Sequence, residues 1–279
     1  MRTKWEKIYW EPYIQIRHSS LLFYSLPTKQ LPRNHHTLDY KTYSGKTTQG
    51  SVKRIKKAVD MLLQLSPPRW IHNTVSGRME YHTLSFITLT IPGHEKHLEA
   101  SEGHKLLLAP WLLRMKRKVN MDTYIWKAEF QKNGQLHYHI TTPSWIPYYT
   151  IRDEWNNIMS KAKMLENWFQ VNPNKMPNST DVHKVYKVEN IQGYLSKYLA
   201  KNDQDKETKG KIWDCSMNLK KAKFFSFPEP SDIDKFIDLK SLKNTDHCSF
   251  LFLKNPASVL PVNIQQEYKN FISKIAETV

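Results

Sequence analysis

Only two cysteines, Cys215 and Cys248, occur in the 279 residues, far apart and outside any CxxC arrangement. That excludes a disulfide framework and a cysteine-held zinc site, and it fits a reducing, cytoplasmic setting. Long apolar runs are missing as well. The start, MRTKWEKIYWEPY, lacks the apolar stretch of a signal peptide, and the longest apolar run, LLLAPWLL at 106–113, is too short to cross a bilayer. Neither a repeat at solenoid periods nor a long low-complexity tract is present, which points to a core with appendages. A nucleotide-binding P-loop is lacking too. SGKTT at 44–48 has the right ending, but the required first glycine would fall at Tyr40. His94-Glu95-Lys96-His97 is one residue short of the HExxH protease helix and follows Pro92-Gly93, so it reads as loop. His35, His36 and His104 are expected in solvated segments.

Acidic residues are in short supply. The 26 Asp and Glu face 42 Lys and Arg, a formal charge of +16 that predicts a polyanionic partner. The basic residues cluster at Lys53, Arg54, Lys56 and Lys57, at Arg114, Lys116, Arg117 and Lys118, and at Lys220, Lys221 and Lys223. Any one cluster describes a solvated face equally well. Trp5, Trp10, Trp111 and Trp126 are interleaved with them, which adds base stacking to phosphate contact, although most such rings are expected in the core. Arg114, Lys116, Arg117, Lys118, Lys220 and Lys221 are the candidate DNA contacts. A hydrophobic fraction of 39% supports a folded chain rather than a disordered one.

Residues 1–80 read as a basic, aromatic N-terminal extension with one helix at 51–65, ended by Pro67 and Pro68. From residue 81 the pattern sharpens. HTLSFITLTIP (82–92) alternates and is rich in β-branched residues, so it predicts a strand; the leucines of 105–119 predict a helix despite Pro110. TYIWKAEF (123–130) and QLHYHITT (135–142) flank Asn133-Gly134 and predict a hairpin. A helix at 150–169, a strand at 181–188 and a helix at 189–201 follow. This order predicts an α+β nuclease-sized domain over 81–227: a split βαβ antiparallel sheet, of the ferredoxin or RNA-recognition type, with helices on one face. Residues 228–279 remain as a C-terminal tail.

The strongest local signal is His137-Tyr138-His139. On a strand the two imidazoles share one face while Tyr138 points into the opposite layer, a geometry suited to chelation. Two surface histidines on a polar sheet would look the same. Glu129 on the partner strand supplies a carboxylate, and Gln131, on the same face, is the rival third ligand. Two imidazoles, a carboxylate and open water positions suit Mg²⁺ or Mn²⁺ that must also bind a phosphate oxygen.

The second signal is YLSKYLAK (194–201), which repeats Tyr-x-x-Lys and so stacks Tyr194 over Tyr198, and Lys197 over Lys201, on a helix. An aromatic helix face packed on a sheet is the plainer explanation. The chemical one is that a phenol attacking a phosphodiester stores the broken bond as a phosphotyrosine that a 3′-hydroxyl can reverse. With a phenol pKa of about 10, the attack needs charge relief from a metal, Lys197 and Lys201.

In this order FITLTIP (86–92), LHYHI (136–140) and YLSKYLAK resemble the three motifs of the HUH endonucleases, and within them the two-tyrosine initiators of rolling-circle replication of small single-stranded DNA phages and plasmids. The resemblance covers roughly half the chain. It implies His137, His139 and Glu129 as metal ligands, Tyr194 and Tyr198 as alternating nucleophiles with Tyr194 making the first cut, and Lys197 near the scissile phosphate. It also implies single-stranded origin DNA as substrate in a bacterial cytoplasm. A host helicase and polymerase would serve as partners, because no helicase domain is present. Relaxases and transposases share this chemistry, and a non-catalytic nucleic-acid-binding module shares the sheet.

Overall fold

A computed structural model describes residues 9–28, 47–93, 95–185, 191–200, 208–245 and 248–277. Trp5, His35, His36, His94 and Lys201 lie outside these residues, as does SGKTT up to residue 46. In chain order, strands β1 (Trp10–Ile16) and β2 (Ser20–Pro27) precede helix α1 (Gln49–Leu65), a hairpin of β3 (Arg69–Asn73) and β4 (Arg78–His82), and β5 (Leu84–Thr90). Then come α2 (Ala100–Gly103), α3 (Ala109–Val119), β6 (Ile125–Phe130), β7 (Leu136–Thr142), α4 (Tyr148–Lys161), α5 (Glu166–Val171), β8 (Thr180–Val185) and α6 (Ile191–Ala200). Last are β9 (Trp213–Cys215), α7 (Met217–Lys221), β10 (Ser226–Pro228), β11 (Lys243–Asn244), β12 (Ser249–Phe252) and α8 (Val262–Glu277).

The architecture is α+β with antiparallel sheets, as the sequence pattern predicts. It divides into two compact units, one of Lys41–Lys221 and one of Met1–Tyr40 with Ala222–Thr278.

In the larger unit the sheet runs β8-β5-β7-β6-β9 with every neighbouring pair antiparallel. β5 and β6 therefore point the same way with β7 inserted between them. Because strand side chains alternate, Ile87, Leu89, Trp126, Ala128, Leu136, Tyr138 and Ile140 form one buried face, covered by Trp111 and Met115 of α3 and by Ile151, Trp155 and Ile158 of α4. Tyr138 lies in that layer as expected, its ring edge-on to Trp126 at 6.4 Å and to Trp155 at 6.0 Å. The indole of Trp155 donates to the carbonyl of Thr90 at 2.9 Å, tying α4 to β5. Helices on one face describes α3 and α4. α6 is the exception: it packs on the opposite face, with Tyr198 against Phe86 and His139, and α1 packs on α6.

Two local features depart from the sequence pattern. The helix expected at 105–119 is reached through α2 and a π-turn over His104–Leu108, which places Pro110 in the first turn of α3, where its missing N–H costs nothing. His104 is thereby not solvated. It lies half-buried with its ring 5.3 Å from that of Trp126. In the β6–β7 turn Gly134 has a φ of +82° while Asn133 does not turn positive, so the connection is longer than the two-residue Asn-Gly type.

In the smaller unit the sheet runs β10-β1-β2-β12-β11. Ile14, Ile16, Leu21, Phe23, Phe227, Ile237 and Leu251 form its core, and Ile264 and Tyr268 of α8 pack against it. Among the described residues no helix is long and apolar enough to cross a membrane.

Gly103 lets α2 lie directly on the sheet, since a Cβ there would collide with the Tyr138 hydroxyl and a Leu136 methyl. Gly103→Ala is expected to destabilise the chain by about 1–3 kcal/mol through overpacking, measured as a lower urea midpoint with an unchanged slope.

Candidate nucleophile and metal site

β7 is the middle strand of its sheet, so β5 and β6 flank it and all three set polar side chains on the face away from α3 and α4. Two cross-strand rows result. Thr90, His137 and Glu129 lie abreast in one; Asp181, Thr88, His139 and Lys127 lie abreast in the other. The rings of His137 and His139 are 5.8 Å apart. Glu129 stands opposite His137 in register, and its Oε2 lies 3.4 Å from Nε2 of His139. Each imidazole also meets a threonine of β5: Thr90 Oγ1 is 3.2 Å from His137 Nε2, and Thr88 Oγ1 is 3.2 Å from His139 Nδ1. Such partners fix the ring orientation.

Lys127 was not among the expected site residues. Its side chain is 1% exposed, with Nζ 2.6 Å from Glu129 Oε1. The same ammonium donates to the carbonyl of Tyr198 at 3.3 Å and lies 5.6 Å from the centre of the Tyr198 ring. A buried ammonium is tolerated only when paired and hydrogen-bonded, so Lys127 binds sheet to helix at this point. A sequence signal did exist, because Lys127 shares the strand parity of Glu129. Thr88, Thr90 and Phe86 were equally legible from the alternation of FITLT. On the edge strand β8, exposed Asp181 and His183 pair at 2.6 Å on the same face.

The electrostatics follow from these contacts. Burial pushes the Glu129 carboxyl up, but hydrogen bonds from His139 and Lys127 outweigh it and hold the group down at about 2. Burial and then the neighbouring His139 lower His137 to about 4, against the pull of Glu129. At neutral pH the face thus presents an ionised carboxylate and a neutral imidazole, the states in which these groups ligate metals. The donor set fits a hard divalent cation by its chemistry. As the side chains stand, no group of three or more His, Cys, Asp or Glu among the described residues converges to hold one. Gln131 begins the turn after β6, and its side-chain Nε2 is buried without a hydrogen-bond partner.

α6 brings one of its two phenols onto this face. The Tyr198 ring stands perpendicular to His139 at 5.4 Å and to Phe86 at 5.2 Å. Tyr194, one turn earlier and 49% exposed, stacks on Tyr198 at 6.5 Å with 17° between the rings. Lys197 is exposed, and Lys201 lies outside the described residues.

The basic clusters are not gathered at this face. Arg114 and Lys118 of α3 both grip Glu154 of α4, at 2.6 and 2.7 Å, and Lys116 pairs with Asp122 at 2.7 Å. Lys220 pairs with Asp214 at 2.7 Å, while Arg117 and Lys221 are exposed. Trp111 and Trp126 serve the core, whereas Trp10 is exposed.

A family model described as replication-associated protein ORF2 matches residues 84–203. The match points to a replication initiator. It runs from the first residue of β5 past the end of α6, and so takes in the histidine strand, both of its neighbours and the tyrosine helix. No curated protein and no solved structure matches the chain.

Two outcomes are expected. Lys127→Ala should destabilise folding by on the order of 3 kcal/mol, because it leaves Glu129 without its buried partner, while Lys127→Arg should recover part of the loss in urea denaturation. Asp214 is pushed up by burial but held below its ordinary value on balance by Lys220, the Cys215 amide and Lys211. A depressed carboxyl adds stability that is present above its unfolded value and is lost as pH falls through the folded one. Asp214→Asn should accordingly flatten the acid limb of a stability-versus-pH curve.

Proposed function

We propose that the chain nicks and rejoins single-stranded origin DNA through a 5′-phosphotyrosine, as the initiator of rolling-circle replication. The observation that carries this reading is the contact of the Tyr198 ring with His139, on a sheet face where His137 and Glu129 stand in the adjacent row. A sheet that merely bound nucleic acid would have no use for a buried carboxylate and two imidazoles beneath a phenol. The match to the replication-associated family over these same elements supports the reading.

In the proposed reaction the phenol oxygen attacks the scissile phosphorus in line. The phenol gives up its proton, the P–O bond to the 3′ oxygen breaks, and that oxygen takes up a proton to become a free 3′-hydroxyl primer. The 5′ phosphate stays on the tyrosine. A later 3′-hydroxyl reverses the step and closes a circle, since the two bonds exchanged are of the same kind. Its contact with His139 favours Tyr198 for the first cut, with Tyr194 stacked behind it as the second nucleophile. Lys127 fixes the height of α6 above the sheet through the Tyr198 carbonyl and keeps Glu129 ionised. Thr88 and Thr90 hold the imidazoles in place.

Glu129, His137 and His139 would hold Mg²⁺ or Mn²⁺, with Gln131 as the alternative third ligand. Bound there, the cation would draw charge from the scissile phosphate. Lys197 and Lys201 are proposed to serve the phosphate from the helix side. Unwinding and synthesis would fall to a helicase and a polymerase of the host cell.

The test uses a labelled oligonucleotide carrying the origin, with Mn²⁺ or Mg²⁺, and follows the covalent adduct on a denaturing gel. Adduct should form with either metal, vanish with EDTA, and be lost in Tyr194→Phe/Tyr198→Phe. An undiminished adduct in the double variant rejects the nucleophile assignment. His137→Ala should abolish cleavage by at least about a hundredfold while oligonucleotide binding persists; loss of binding alone would favour a non-catalytic module.

A further inference from the structure

The smaller unit has a sheet face that its core does not use. Ile14, Phe23 and Leu251 point into the core, so the alternate residues Tyr13, Gln15, Leu22, Tyr24, Phe250 and Phe252 point the other way. A solvated sheet face is ordinarily polar, but this one is lined with rings. Tyr13 and Tyr24 are register partners with centroids 6.1 Å apart. Phe250 and Phe252 stack at 6.1 Å with 20° between planes, and Phe252 is 59% exposed.

Cations are built into the same face. The Arg17 guanidinium lies over Phe224 at 5.0 Å and over Phe250 at 6.0 Å, and Lys243 Nζ lies over Phe252 at 5.5 Å. Glu11 adds a carboxylate to this face, exposed at the far end of β1. An apolar protein partner would be met poorly by a guanidinium and an ammonium set among the rings. A ligand with flat π-faces along a chain of negative charges satisfies both features, since every base can stack and every phosphate can pair.

We propose that this face is a second binding surface, for single-stranded DNA, with bases stacking on Tyr24, Phe250 and Phe252 and phosphates meeting Arg17 and Lys243. The choice of DNA rests on the replication-initiator reading, whereas the stacking surface does not. It would give the initiator a grip on the strand that is independent of cleavage.

The experiment measures fluorescence anisotropy of a labelled oligo-dT titrated with the full chain. To keep it independent of nicking, it is run in the Tyr194→Phe/Tyr198→Phe background. Tyr24→Ala/Phe252→Ala should weaken binding by about tenfold or more, Phe252→Trp should bind at least as well as the parent, and Arg17→Gln should lower the slope of log affinity against log salt by about one. Thermal melting of each variant reports whether it is folded, and Phe252→Ala alone, at an exposed ring, serves if the double variant is not. Unchanged affinity in the folded alanine variants, or equal affinity for duplex DNA of the same length, overturns the proposal. Loss of affinity in those variants from a parent that forms no adduct would instead defeat the nicking reading and leave this one standing.

Discussion

The period of two along β7 governs everything else at the site. Leu136, Tyr138 and Ile140 are sealed into an aromatic and aliphatic layer, and each of them forces its neighbour to the other side of the sheet. His137 and His139 therefore share a face without any contact of their own to hold them there. A slip of one residue in register would put both imidazoles into the core and a tyrosine into the site, so the packing energy of the core is also what specifies the chemistry. The neighbours inherit the same constraint. Thr88 and Thr90 on one side, and Lys127 and Glu129 on the other, are delivered by alternation alone.

That dependence explains what was legible in the sequence. Alternation is visible in FITLT, in KAEF and in LHYHI, and so the pairing of Glu129 with the histidines and the burial of Tyr138 could be read before any coordinates. Pairing between strands distant in sequence could not. Asp181 and His183 join the face only because β8 pairs with β5, a fact no local pattern encodes. The basic clusters failed for a related reason. Charge is legible but its partner is not, and Arg114, Lys118 and Lys220 each meet a carboxylate that lies elsewhere in the chain.

Lys127 shows how a site can be built around a charge that the sequence pattern conceals. Lysine is seldom buried, and a pattern reader places it in solvent. Here the strand leaves it no such option, and its ammonium finds an ionised carboxylate, a helix carbonyl and the face of a phenol within reach. One side chain thus couples the sheet's electrostatics to the seating of α6. The flanking lysines of the tyrosine helix were expected in this part, yet Lys197 is exposed.

The smaller unit carries a different consequence. β1 and β2 come early in the chain, while β10 and β12, which complete their sheet, arrive roughly two hundred residues later. As the polypeptide emerges from a ribosome, the first hairpin must wait with both of its edges open while the whole of the intervening unit is synthesised. Such a hairpin is marginal by itself and exposes unpaired strand edges, so the vulnerable interval of biogenesis ends only when translation is nearly finished.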